Sequence, residues 1–224
     1  MFQLRMVYYI TISLVIIYIL LYIMKFEGFT QYNEDEELCK DLYEKGINKE
    51  YYIFQNLLSL DECDNIIKEA EQYAINNDGW ITDRHAYYPT TDNEITSTWT
   101  TYNNISSHIY KKIFPKIANM YSIKSSNLGV NELFIAKYSH NEQYELNEHE
   151  DGSEFSFIIA LNDNFKGGGT HFVHDNNTIK LNKGACLVFS GQNTHSGLKV
   201  TSGTRYILTG FINYKYEGYC DEII

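Results

Sequence analysis

Proline is scarce: the 224 residues contain only two, Pro89 and Pro115, and no low-complexity or repeated tract accompanies them. Neither a proline-rich linker nor a repeat array fits such a chain. The four cysteines, Cys39, Cys63, Cys186 and Cys220, never approach C-x-x-C spacing, which weakens a zinc-ribbon or thioredoxin-like reading. They leave one or two disulfides, or buried free thiols, open. Positive charge is also short, with 18 Lys and Arg against 29 Asp and Glu and a net charge of −11. A duplex nucleic-acid binder needs a basic surface to displace counterions, so this balance argues against one. What remains is ordinary for a folded protein: 44% hydrophobic residues, 15% aromatic, and 20 tyrosines. The length suits one domain of about 200 residues with a sizeable core.

The charge is unevenly spread. Residues 1–26 carry only Arg5 and Lys25, which leaves 16 positive and 29 negative side chains, a balance of −13, for the rest. Val7 to Met24 reads VYYITISLVIIYILLYIM, eighteen residues without a charge. As a helix it would span about 27 Å, close to the hydrocarbon thickness of a bilayer. Tyr8, Tyr9 and Tyr22 stand near its ends, where interfacial aromatics belong. Lys25-Phe26-Glu27 does not resemble a small-residue cleavage site, so an uncleaved signal anchor is expected. The N-terminal amine and Arg5 slightly outweigh Lys25 beside Glu27. That places residues 1–6 in the cytosol, a transmembrane helix at 7–24 and a stalk at 25–50. The body, 51–224, would then be lumenal, in the endoplasmic reticulum or its equivalent, as a type II membrane protein. The sequons at Asn104 and Asn176 permit that placement.

Within the body, Ser59-Leu60-Asp61-Glu62 is a capping box. Behind it Cys63, Ile66, Ile67, Ala70 and Ala74 recur at helical spacing, and the helix should stop near Asn77-Asp78-Gly79. Ile105, Ile109, Ile113 and Ile117 mark a second helix, which Pro115 should kink or divide. From Val130 onward the character changes to short β-rich runs at 133–138, 155–161, 170–173, 178–181, 185–189 and 206–212. Turn residues such as Gly167-Gly168-Gly169 punctuate them. This pattern predicts a mostly β fold, an antiparallel sandwich or barrel, with the two helices covering one outer face.

His149-Glu150-Asp151 carries the chemistry. On an extended strand, residues two apart share a face, so His149 and Asp151 can offer an imidazole nitrogen and a carboxylate oxygen to one ion. His195 lies 44 residues after Asp151, just past an apolar strand, and can supply the third ligand. Two histidines and a carboxylate form a facial triad that leaves the opposite face of the metal open, which suits Fe(II) binding a chelating cosubstrate and O2. Arg205 opens the last long strand. A guanidinium inside a barrel must be paired, and its fork fits a carboxylate. His171 and His174 lack a carboxylate two residues on, and His85 and His140 read as solvated loop residues. The glycine run lacks the context of a phosphate loop and reads as a turn. Arg84 to Asp92 reads either as a substrate-facing loop or as a plain structural one.

From Tyr138 to Tyr214, about a third of the chain, the sequence resembles the catalytic domain of the prolyl 4-hydroxylase and lysyl hydroxylase group of 2-oxoglutarate/Fe(II) dioxygenases. The similar text is EQYELNEHEDGSEFSFIIALND, FKGGGTHF and KGACLVFSGQNTHSGLKVTSGTRYILTGF. Upstream, LSLDECDNIIKEAE and RHAYYPTTD are also similar to what precedes that core. The resemblance implies a double-stranded β-helix (jelly-roll) fold. It implies that His149, Asp151 and His195 bind Fe(II), that Arg205 binds the distal carboxylate of 2-oxoglutarate, and that the Tyr138 hydroxyl contacts this cosubstrate. It also implies O2 as oxidant, L-ascorbate to keep the iron reduced, and a protein or peptide substrate containing proline or lysine. One departure is Arg205 itself, because collagen-type prolyl 4-hydroxylases usually carry Lys there, whereas lysyl hydroxylases and oxygen-sensing prolyl hydroxylases both carry Arg. An oxidative demethylase, a catalytically silent jelly-roll binding module and a zinc hydrolase on the same three ligands stay open. The acidic body weighs against a nucleic-acid substrate for the first. No residue is missing to favour the second, and the third leaves Arg205 without a role.

Overall fold

In the computed structural model, residues 50–85 and 87–215 are described. The apolar segment 7–24, the stalk up to 49, Cys39 and Cys220 lie outside them. Among the described residues no helix is long and apolar enough to cross a membrane.

The chain enters through β1 (Tyr51–Phe54) and passes into α1 (Leu60–Asn76). The expected capping box is formed: the Glu62 backbone N–H donates to Ser59 Oγ at 3.2 Å, and the Ser59 N–H donates to Glu62 Oε2 at 2.6 Å. The helix ends at Asn77, where Asp78 and Gly79 turn to positive φ and the Gly79 N–H closes on the Ala74 carbonyl at 2.8 Å. Cys63, Ile66, Ala70 and Ala74 form its buried stripe, and Ile67 is half-buried. The second helical region runs through α2 (Tyr102–His108), a π-helical turn (Ile109–Ile113) and α3 (Phe114–Tyr121). Pro115 neither breaks nor divides it. It sits in the first turn of α3, and the register changes one step earlier, in the π turn. Four isoleucines at strict four-residue steps would drift about 40° per step around an α-helix. A wider π turn takes up part of that drift, and Ile105, Ile109, Ile113 and Ile117 are all buried.

The strands that follow are β2 (Asp92–Glu94), β3 (Leu128–Ser139), β4 (Leu146–His149), β5 (Phe155–Ala160), β6 (Lys166–Gly167), β7 (Thr170–Phe172), β8 (Asn177–Ile179), β9 (Cys186–Ser190), β10 (His195–Gly197), β11 (Val200–Ser202) and β12 (Thr204–Tyr214). They form an antiparallel six-stranded sheet ordered β1-β9-β5-β12-β3-β2, a four-stranded sheet ordered β4-β10-β7-β8, and the pair β11-β6. This is a mostly β jelly-roll core with flanking helices. Alternation along the strands sorts the side chains. Phe134, Ala136, Tyr138, Ile158, Leu187, Phe189 and Ile207 point inward, meeting Phe172 of β7 and Val200 of β11 in one core. The other face of the large sheet receives the helices. Cys63 Sγ lies 4.0 Å from the Ala160 carbonyl, and the Tyr121 ring is 4.6 Å from that of Phe155. Both faces being covered, every residue of β5 is buried. Cys63 and Cys186 are free buried thiols, and burial pushes the Cys63 thiol up to about 11.

Gly167, Gly168 and Gly169 all have positive φ, so the run is the turn between β6 and β7. All described residues fall within one compact unit, Leu42–Lys215.

Candidate metal centre and anion pocket

His149 closes β4 and His195 opens β10, and the two are direct cross-strand partners. Their rings stand 4.3 Å apart, centroid to centroid. Asp151, two residues past His149, is held by its backbone N–H donating to the Gly191 carbonyl at 2.8 Å. His149 Nε2 is 3.5 Å from Asp151 Oδ1, and His195 Nε2 is 3.8 Å from Asp151 Oδ2. One donor atom from each of the three residues lies within 4.8 Å of the others, and no other trio among the described residues is arranged this way.

The tautomers follow from the neighbouring carbonyls. His149 Nδ1–H donates to the Asn147 carbonyl at 2.7 Å and His195 Nδ1–H to the Asn193 carbonyl at 2.8 Å. A carbonyl only accepts, so Nδ1 carries a proton in each ring, and the neutral form of each turns its Nε2 lone pair to the common centre, as metal-ligating imidazoles require. Burial works against the charged Asp151 carboxylate, but His195, His149 and the Ser156 hydroxyl together hold its pKa below the ordinary carboxylate value. Burial lowers His195, against the pull of Asp151. Burial also works against a charged His149, but Asp151 and the Asn147 carbonyl raise its pKa above the ordinary imidazole value, so a metal would displace a proton shared with Asp151. Two imidazoles and an ionised carboxylate on one side of a cavity fit a divalent iron with open positions.

Those positions face a cavity of about 310 Å³. Across it lies Arg205, paired in register with Tyr138 on the neighbouring strand β3. Arg205 is 6% exposed. Its hydrogen bonds are long, 3.4 Å to the Gly169 carbonyl and 3.5 Å to Thr170 Oγ1, and its guanidinium carbon lies 5.7 Å from the Tyr138 ring centre. No carboxylate pairs with it among the described residues, and burial lowers its pKa. A buried cation with most of its five donors unspent is costly unless an anion enters. Burial likewise pushes the Tyr138 hydroxyl up to about 12, so it faces the cavity as a neutral group.

These features are placed in sequence by a recognisable pattern. Residues 133–213 match the sequence profile of the 2OG-Fe(II) oxygenase superfamily. The chain carries an oxygenase domain of that superfamily. The chain is 28% identical over 195 residues to the multifunctional procollagen lysine hydroxylase and glycosyltransferase of Caenorhabditis elegans, an alignment that covers 80% of this chain and 24% of that protein. It is 31% identical over 173 residues to human procollagen-lysine,2-oxoglutarate 5-dioxygenase 2, covering 70% of this chain and 23% of that one. The chain thus spans about a quarter of these relatives. Among solved structures, the viral collagen prolyl hydroxylase vCPH of Paramecium Bursaria Chlorella virus-1, in its 2OG complex, has a TM-score of 0.56. At 21% identity, over 73% of this chain and 95% of that one, it speaks for the fold. The superfamily uses Fe(II), 2-oxoglutarate and O2.

The oxygenase domain brings His149, Asp151, His195, Arg205 and Tyr138 to one cavity. His171 is turned to Thr178, and His174 lies beside Asp175. His85 departs from expectation. Instead of being a solvated loop residue it is partly buried, lines the cavity, and lies 3.6 Å from the fully buried Asp92. The reason is Arg84, which bonds Asp92 and Glu132 and lies over the Phe134 ring, pulling the segment inward. Tyr88 follows, with its ring 5.1 Å from that of His149. Sequence reasoning missed Ser156, which reaches Asp151, and Thr170, which reaches Arg205. A serine or threonine inside an apolar strand was the available signal.

Proposed function

We propose that the chain is a 2-oxoglutarate- and Fe(II)-dependent dioxygenase that hydroxylates a peptidyl lysine or proline. The observation that carries this reading is the facial triad facing a buried, unpaired Arg205 across one cavity. His149, Asp151 and His195 would hold Fe(II). Together with 2-oxoglutarate and O2, the iron would supply the oxidising power that yields succinate, CO2 and a hydroxylated C–H bond. Arg205 receives the distal carboxylate of 2-oxoglutarate in bidentate fashion, which neutralises its buried charge. The neutral Tyr138 hydroxyl donates to the same molecule, and Phe134, Ile158 and Ile207 exclude water beside it. L-Ascorbate would keep the iron reduced between turnovers.

Tyr87 is 92% exposed and Tyr88 41%, both at the cavity mouth, and they are suited to contact a peptide backbone. Lysine is favoured over proline because the sequence relatives near 30% identity are named for lysine hydroxylation. Membrane anchoring through 7–24, with the body at 51–224 in the lumen, completes the proposal. The test is mass spectrometry of lysine- and proline-containing peptides after incubation with the protein, Fe(II), 2-oxoglutarate and ascorbate. The expected result is one added oxygen per modified residue with matching succinate. Iron binding without either product would reject the peptide-hydroxylase reading.

A further inference from the structure

Asp151 has two carboxylate oxygens, and their surroundings differ. Oδ2 accepts the Ser156 hydroxyl at 2.5 Å and stands 3.8 Å from His195 Nε2, whereas among the described residues no hydroxyl or backbone donor reaches Oδ1, which stands 3.5 Å from His149 Nε2. Ser156 is fully buried on the inward face of β5, the same face as Ile158. Its hydroxyl also meets that of Ser153 at 3.0 Å. The Ser156 proton is spent on a carboxylate that can only accept, so Ser153 must be the donor in the second bond. The chain of donation therefore runs Ser153 to Ser156 to Asp151 Oδ2.

The backbone fixes this chain. The Asp151 N–H bonds the Gly191 carbonyl, and the Gly191 N–H bonds the Glu154 carbonyl at 3.1 Å. A side chain at residue 191 would bring a carbon within 2.0 Å of the Ser153 carbonyl oxygen, so only glycine lets the turn close this tightly.

We propose that the Ser153–Ser156 hydroxyl pair is a positioning device that occupies Oδ2 of Asp151 and so presents Oδ1 alone to the metal. Monodentate ligation matters because a carboxylate binding through both oxygens would take a coordination position that the cosubstrate or O2 needs. Ser156 acts through Asp151 and touches neither metal nor substrate. The inference rests on the iron-site reading above.

The experiment is anaerobic titration with Co(II), a spectroscopic stand-in for Fe(II), of the wild-type chain and the Ser156→Ala, Ser156→Thr and Ser153→Ala variants. Thermal denaturation serves as the folding check. Loss of an outer hydrogen bond to a metal ligand typically weakens binding about 10- to 100-fold. Ser156→Ala is expected to fall in that range and to change the Co(II) ligand-field spectrum as the carboxylate turns. Ser156→Thr, which keeps the hydroxyl, should restore both. Ser153→Ala should weaken binding less and carries the test if Ser156→Ala does not fold. Unchanged affinity and spectrum in folded Ser156→Ala, or in Ser153→Ala if that variant must stand in, would overturn the proposal. A wild-type chain that binds no Co(II), or binds it equally well after His149→Ala, would overturn the iron site itself.

Discussion

A guanidinium buried with only two long hydrogen bonds is an incomplete site, and that makes Arg205 the most informative single residue. Charge-assisted hydrogen bonds contribute about 1.5–3 kcal/mol each. Arg205→Ala should therefore raise the KM for 2-oxoglutarate by about 10- to 100-fold or more, while Co(II) affinity stays at the wild-type value. Steady-state succinate formation across a 2-oxoglutarate series measures it, and an unmoved KM would remove Arg205 from the cosubstrate site. The ligand residues were legible in the sequence because few side-chain types can hold iron, and a two-residue step on a strand leaves few arrangements. The carbonyls of Asn147 and Asn193, which set the histidine tautomers, were not legible. A backbone acceptor is present at every position and leaves no mark in residue identity.

Among the elements, α1 shows how a local signal becomes a tertiary tie. Glu62 closes the capping box and also accepts from Asn104 and His108 of α2. Burial opposes its charge, but these bonds and those from Ser59 hold its pKa at about 2, against an ordinary 4.5. A depressed folded-state value means the stabilisation is complete above pH 4.5 and is lost as pH falls toward 2. Glu62→Gln should cost about 1 kcal/mol near neutrality, the usual worth of a cap. In paired urea denaturations the gap between the two proteins should close across that acid window. A gap independent of pH would show that the charge plays no part. The helix was readable from Ser59 to Gly79, and so were the longer strands. Strands β1, β2, β4, β6, β10 and β11 were not, because runs of two to four residues are too short to display a period of two; β7 and β8, no longer, were marked by the turn residues around them. The π turn escaped for a different reason: the isoleucine spacing that it accommodates also fits an ordinary helix.

At the scale of the whole molecule, the first 26 residues carry two charged side chains, whereas the remainder carries a balance of −13. If 7–24 is an anchor, the full-length chain stays with membranes under alkaline carbonate extraction, and a chain starting near residue 50 does not. Release of the full-length chain would refute the anchor. The balance of −13 outside the first 26 residues first served to argue against a duplex partner. If the cavity hydroxylates peptides as proposed, the same balance would favour encounter with basic, lysine-bearing chains through long-range attraction, an effect that added salt should weaken.

Strand β12 stands between β5 and β3 in the large sheet and is the last described strand in the chain. Until residues 204–214 have been synthesised, that sheet exists only as two separate pieces, β1-β9-β5 and β3-β2. His149, Asp151 and His195 all precede it, whereas Arg205 arrives with it. During translation the ribosome thus delivers His149, Asp151 and His195 before the strand that both closes the sheet and brings Arg205. A nascent chain halted before Thr204 has neither a continuous sheet nor Arg205, so completion of the fold and arrival of the proposed 2-oxoglutarate clamp coincide.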